Sequence, residues 1–388
     1  MNIIVAPDSF KGNMGAPEAC DLIEAGILGA AKDAIVRKIP LADGGEGTAR
    51  AVTLAAGGRF IQKTVTGPLG DRVEAEFGLI DGGRTAVLDL AGASGIELVP
   101  RERLDPMKAT TFGTGELVAA ALDTGAEALV IGIGGSATCD GGAGMLSALG
   151  FRFLDEGGRP VDGAAGAAAL ERIASIDTAG ADRRLREVTI RVACDVTNPL
   201  TGPAGAAAVF GPQKGAKAEM LPVLDAGLAR LGEAWIRAGL ARDTAQPGDG
   251  AAGGAGAALR ICLGARMESG AMLVMRYAGF FGCLPGTDLV ITGEGMTDGQ
   301  TMGGKLCSVV AREARRAGVP AALLSGALGG QAPALFGAFD YAVSISRGQT
   351  GLEAMIRDSR EDLRFAAENL VRAIQIGRKI GDYHGNGS

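Results

Sequence analysis

Glycine restricts this chain more than any other residue: 64 of its 388 positions carry it, with no G-X-Y period. A collagen helix is thereby excluded. At this density, among long apolar stretches, glycine points to a fold rich in tight strand-to-helix turns, with helices lying close on strands. The chain ends say which fold. Ile3–Pro7 is a short apolar run closed by Asp8-Ser9-Phe10-Lys11-Gly12, and Ala16–Ala30 sets Ala19, Leu22, Ile23, Gly26 and Ile27 at helical spacing. Ala34–Leu41 reads as a second strand running into Ala42–Thr48, with a helix from Thr48 to Ala56. The same grammar returns later. Asp288–Glu294, Pro320–Gly326 and Tyr341–Ser346 read as strands, and Lys305–Gly318 and Arg364–Ile380 as helices.

Strands alternating with helices imply a parallel sheet covered on both faces. Five such strands make one flavodoxin-like α/β domain from both chain ends, residues 1–60 and 285–388. The middle reads differently. Residues 61–90 alternate polar and apolar around Gly-Pro and Gly-Gly turns, as antiparallel strands do, while Ala128–Gly135 and Val188–Asp195 are strands ending in small or acidic residues. An inserted mixed α/β domain over 61–284 is therefore expected.

Composition removes whole classes of function. The one histidine, His384, lies in the C-terminal Gly/Asn/Ser-rich tail, so a Ser-His-Asp or Cys-His hydrolase or a histidine-built zinc centre is not expected. None of the six cysteines forms a CxxC pair. A net charge of −6 offers no basic footprint for nucleic acid or anionic membrane, and no apolar run is long enough to span a bilayer. The start, MNIIVAPDSF, lacks the basic region of a signal peptide, so a reduced cytoplasmic enzyme is expected.

Four strand ends carry acidic, glycine and hydroxyl residues together. They are Asp8-Ser9 with Lys11, Asp43-Gly44-Gly45-Glu46, Gly134-Gly135-Ser136 with Thr138 and Asp140, and Glu294 with Asp298. In open α/β sheets, ligands bind outside the carboxyl ends of strands, where helix N-termini offer N–H groups to phosphate. Gly132–Ala137 matches the dinucleotide pattern G-x-G-x-x-A, but in so glycine-rich a chain a nicotinamide or flavin reading carries little weight. Gly299–Leu306 nearly spells a Walker A motif and fails at Leu306, which has no hydroxyl for magnesium. Lys11, Lys214 and Lys305 sit in glycine-rich segments rather than on helix faces. Without a usable histidine, proton transfer falls to carboxylates. Phosphoryl transfer tolerates that, because its catalysis is mostly positioning and charge neutralisation.

These residues also carry a resemblance. Ala6–Gly12, Ala42–Thr48, Gly67–Gly70, Ala109–Leu117, Ile131–Leu146, Cys194–Ala216 and Ile291–Lys305 resemble, in order, the bacterial glycerate kinases of the first type. The resemblance implies ATP- and Mg²⁺-dependent phosphorylation of D-glycerate to 2-phosphoglycerate, on a flavodoxin-like domain interrupted by a second α/β domain. On that basis we expect Asp195, Lys11 and Lys305 to be catalytic, with Asp195 taking the proton of the attacking hydroxyl. Asp8, Ser9, Asp43, Gly44, Gly45, Glu46 and Asn198 would hold glycerate. Gly134, Gly135, Ser136, Thr138 and Lys214 would hold nucleotide phosphate, and Glu294 and Asp298 the metal. The chain departs from the pattern at Met296, where the family resembles an arginine. Two alternatives stay open on that departure: a kinase of another small hydroxy acid, or a glycerate- or nucleotide-binding protein without turnover. A homodimer stays open as well.

Overall fold

The computed structural model describes residues 1–10, 12–41, 47–297, 306–329, 332–348 and 351–385. Its strands, in chain order, are β1 (Asn2–Val5), β2 (Ile35–Lys38), β3 (Arg59–Thr66), β4 (Arg72–Ile80), β5 (Thr85–Asp89), β6 (Ala128–Gly132) and β7 (Arg152–Leu154). Then follow β8 (Pro160–Val161), β9 (Ser175–Asp177), β10 (Thr189–Ala193), β11 (Arg266–Glu268), β12 (Leu289–Thr297), β13 (Ala321–Leu328) and β14 (Tyr341–Ser344). By its internal contacts the chain divides into two compact units, Met1–Asp43 with Val274–Ser388, and Gly44–Leu273. These junctions lie some way from the expected 60/61 and 284/285. The Thr48–Ala55 helix packs on β4 and β5 and so belongs to the second unit, and the Gly270–Tyr277 helix straddles the other junction.

The first unit holds a five-stranded sheet in the order β14-β13-β12-β1-β2, every pair parallel. Counted within the unit, that is the doubly wound 2-1-3-4-5 order of flavodoxin-like sheets. Its central strands are covered on both faces, which is why Ile3, Ile4 and Val5 run without alternation and are all buried. Pro17 starts the Ala16–Ala30 helix, and Ala19, Cys20, Ile23, Gly26 and Ile27 form its buried stripe. Each fully buried isoleucine there contributes about 1.5–3 kcal/mol. Gly26 is required at the crossing with the C-terminal helix, since a Cβ there would lie 2.2 Å from the Arg364 carbonyl oxygen.

Two elements outrun their sequence-based limits. β12 continues past Glu294 to Thr297, because Glu294, Met296 and Thr297 remain paired with Ser325, Ala327 and Leu328 of β13. The last helix starts at Leu352 rather than Arg364 and runs to Gly385. Its apolar stripe of Leu363, Ala367, Leu370 and Val371 is buried, and Glu353 in the first turn suits the positive end of the helix dipole.

The second unit is built on a six-stranded sheet, β11-β10-β6-β5-β4-β3. β3, β4 and β5 are antiparallel neighbours, as the turns in 61–90 suggested, whereas β5, β6, β10 and β11 run parallel. A small antiparallel sheet, β8-β7-β9, accompanies it. One core gathers Phe77, Leu88, Ile131, Phe153, Leu228 and Trp235.

Candidate functional site

In the first unit, the carboxyl ends of β1 and β12 lie side by side, and the sheet order reverses between them. The Asp8 amide donates to the Gly293 carbonyl oxygen at 2.8 Å, tying the segment after β1 to β12. Asp8 and Glu294 are both buried to 8% exposure. The Thr297 hydroxyl lies 2.9 Å from Glu294 Oε1 and 2.9 Å from Ser325 Oγ, and Ser325 Oγ donates to the Ala327 carbonyl oxygen at 2.7 Å. Burial and then the nearby charges of Glu294 and Asp8 push the Cys307 thiol far up, so both carboxylates act on one small region. They open onto a cavity of about 440 Å³ whose lining also includes Ser9, Phe10, Met296 and Met355.

That donor set fits a magnesium ion arriving with phosphates. Mg²⁺ prefers one or two carboxylates, completing its shell with phosphate oxygens and water. Among the described residues no group of three or more His, Cys, Asp or Glu side chains could hold a metal alone.

In the second unit, Asp89, Gly132, Ala193 and Glu268 stand in register at the ends of β5, β6, β10 and β11. The loops that follow therefore emerge at one edge. Asp89 caps the Thr48–Ala55 helix, accepting from the Gly47 amide at 3.0 Å and the Ala49 amide at 3.1 Å. It thus fixes the start of that helix. After β6, Gly134 is half-buried and Gly135 exposed with a φ of +72°, a conformation that favours glycine. Ser136 and Thr138, by contrast, are buried. Lys214 lies beneath this loop at 2% exposure and donates to Ser136 Oγ and the Thr138 carbonyl oxygen, both at 2.7 Å. Burial lowers its pKa, while the charges of Cys139 and Asp140 act the other way.

Asp140 is wholly buried and accepts from the Thr111 amide and hydroxyl and from the Gly142 and Gly144 amides. It thereby joins the starts of the Phe112–Leu122 and Ala143–Ala148 helices. After β10, Asp195 is exposed and accepts the Gly270 amide at 3.0 Å, and Asn198 Nδ2 donates to the Ala204 carbonyl oxygen at 2.8 Å.

With this arrangement in view, comparison with known proteins is decisive. The family model described as "Glycerate kinase family" matches residues 3–375. The chain belongs to the glycerate kinase family. It is 46% identical over 383 residues to a protein named glycerate kinase from Bacillus subtilis (strain 168), covering 98% of this chain and 99% of that one. It is 41% identical over 381 residues to the glycerate 2-kinase of Escherichia coli (strain K12), with coverages of 98% and 99%. A crystal structure assigned to a candidate glycerate kinase 2 from Salmonella typhimurium LT2 superposes with a TM-score of 0.88 at 44% identity, covering 98% of this chain and 99% of that one.

The structure brings Asp8, Ser9 and Glu294 of this family member to one cavity. Gly134, Gly135, Ser136, Thr138 and Lys214 form a second group, with Asp195 and Asn198 on the loop after the neighbouring strand. Lys11, Asp43, Gly44, Gly45, Glu46, Asp298 and Lys305 lie outside the described residues. Sequence reasoning passed over Asp89, although an acidic residue ending an apolar strand was the available signal. It also passed over the pair Thr297 and Ser325, which no local pattern marks. No described helix is long and apolar enough to cross a membrane.

Proposed function

We propose that this chain transfers the γ-phosphoryl group of ATP to D-glycerate, giving 2-phosphoglycerate and ADP with Mg²⁺ as the cation, as a soluble cytoplasmic enzyme. What supports this most is the family match over residues 3–375, joined to two buried carboxylates at adjacent strand ends in a chain with one histidine. The glycerate 2-hydroxyl attacks the γ-phosphorus, the bond to the β-phosphate oxygen breaks, and ADP leaves. Asp195 takes the hydroxyl proton, its carboxylate oriented by the Gly270 amide. Asp8, Ser9, Asp43, Gly44, Gly45, Glu46 and Asn198 hold glycerate, and Lys11 and Lys305 neutralise its carboxylate and the transferring phosphoryl group. Glu294 and Asp298 hold Mg²⁺ when it binds with the nucleotide, which supplies charge neutralisation at the phosphates.

The Gly134 and Gly135 amides donate to phosphate oxygens. Ser136, Thr138 and Lys214 serve that loop from beneath, keeping its shape. Replacing Asp195 by Asn is expected to lower kcat about a hundredfold or more, in line with loss of a general base, with the fold unchanged by circular dichroism. Turnover within threefold of the unaltered enzyme contradicts the assignment. Better kcat/KM for another small hydroxy acid than for D-glycerate contradicts the substrate.

A further inference from the structure

We propose that the cavity of the first unit takes the base and ribose of the nucleotide donor, with its phosphates directed toward Asp8 and Glu294. The inference rests on the kinase reading above and deepens it. Size is the first argument. At about 440 Å³ the cavity is of the order that encloses a nucleoside, and a three-carbon acid would leave most of it empty.

Chemistry is the second argument. The walls are Phe10, Met296, Ile345, Leu352, Met355 and Ile356, and the two carboxylates stand together at the sheet. A small anion gains nothing from apolar walls. A purine gains contact with aromatic and thioether side chains, and cation-loaded phosphates are drawn to the carboxylates.

Exposure is the third. Met296, Leu352 and Ile356 are 59%, 71% and 42% exposed, and all three border this one cavity. Large apolar side chains gathered around one opening mark a binding site more often than scattered ones do.

Topology is the fourth. The cavity lies where the order β14-β13-β12-β1-β2 reverses direction, between β1 and β12, which is where doubly wound sheets bind ring-bearing ligands. The wall is also anchored. Asn13 Nδ2 donates to Ser359 Oγ at 2.7 Å and Arg360 Nε to Glu18 at 2.7 Å, fixing the helix that carries Leu352, Met355 and Ile356 against the segment after β1. Met296 then acts as an apolar wall for the base.

The test is steady-state kinetics of the unaltered enzyme and of Met355→Trp, varying ATP and D-glycerate separately. KM for ATP should rise at least tenfold in the variant while KM for D-glycerate stays within twofold. Adenosine should inhibit the unaltered enzyme competitively against ATP and not against D-glycerate, which reads the pocket without any substitution. A rise in KM for D-glycerate instead, unchanged constants in a folded variant, or adenosine that does not compete with ATP overturns the proposal. If the unaltered enzyme turns over no D-glycerate, the kinase reading fails separately, and calorimetry with adenosine decides the pocket. Binding that Met355→Trp abolishes supports it; no binding to the unaltered protein overturns it.

Discussion

A buried ammonium is costly unless its N–H groups meet acceptors, and Lys214 meets Ser136 Oγ and the Thr138 carbonyl oxygen. Lys214→Met keeps the stem and leaves those oxygens unpaired, so we expect a loss of about 2 kcal/mol in urea unfolding. A ligand-only role would leave stability unchanged. Asp140 offers a test by pH. Burial raises its pKa against the lowering effect of the Thr111, Gly142 and Gly144 hydrogen bonds. A carboxyl whose folded pKa is raised binds more protons folded than unfolded. The stability it contributes is therefore full below about pH 4, its unfolded value, and is lost as pH rises through the folded one. The stability difference between the unaltered protein and Asp140→Asn should narrow with rising pH over that window; a widening difference contradicts the burial argument. The glycine loop itself was legible in Gly134-Gly135-Ser136, as a turn closing a strand. That Ser136 faces inward was not, because it depends on a lysine 78 positions away.

Among elements, the alternation of strand and helix was plain from apolar runs and their glycine stops, so the parallel sheet of the first unit was readable from both chain ends. The limits of its elements were less so. β12 passes through Gly293 and Gly295, residues that look like a turn, because pairing with β13 outweighs local preference. The final helix gains its first turns from packing beside the Asn13 segment, a contact across 346 positions. The Thr48–Ala55 helix was expected, yet its cap comes from Asp89, in a strand of another part of the sequence. Asp89→Ala removes an acceptor for the Gly47 and Ala49 amides, and by the scale of lost helix caps should cost about 1 kcal/mol. We expect KM for D-glycerate to rise with it, since the helix follows directly on the Asp43–Glu46 segment; unchanged stability and KM together contradict the capping role.

At the scale of the whole molecule, two compact units each present chemistry at the carboxyl ends of parallel strands. Asp8 and Glu294 stand in the first, and the Gly134 loop with Asp195 in the second. Among the described residues the chemistry on offer is simple: two buried carboxylates in the first unit, and a glycine loop followed by an exposed carboxylate on the next strand's loop in the second. Membership of the glycerate kinase family places this inventory in phosphoryl transfer to a small hydroxy acid. The most direct test is ADP release with D-glycerate, ATP and Mg²⁺, coupled to enolase in the absence of a mutase, so that only 2-phosphoglycerate gives a signal. We expect stoichiometric ADP and enolase signals, lost together when Mg²⁺ is removed. ADP without the enolase signal would contradict the 2-phosphate product, and no ADP from the folded protein would contradict the kinase itself.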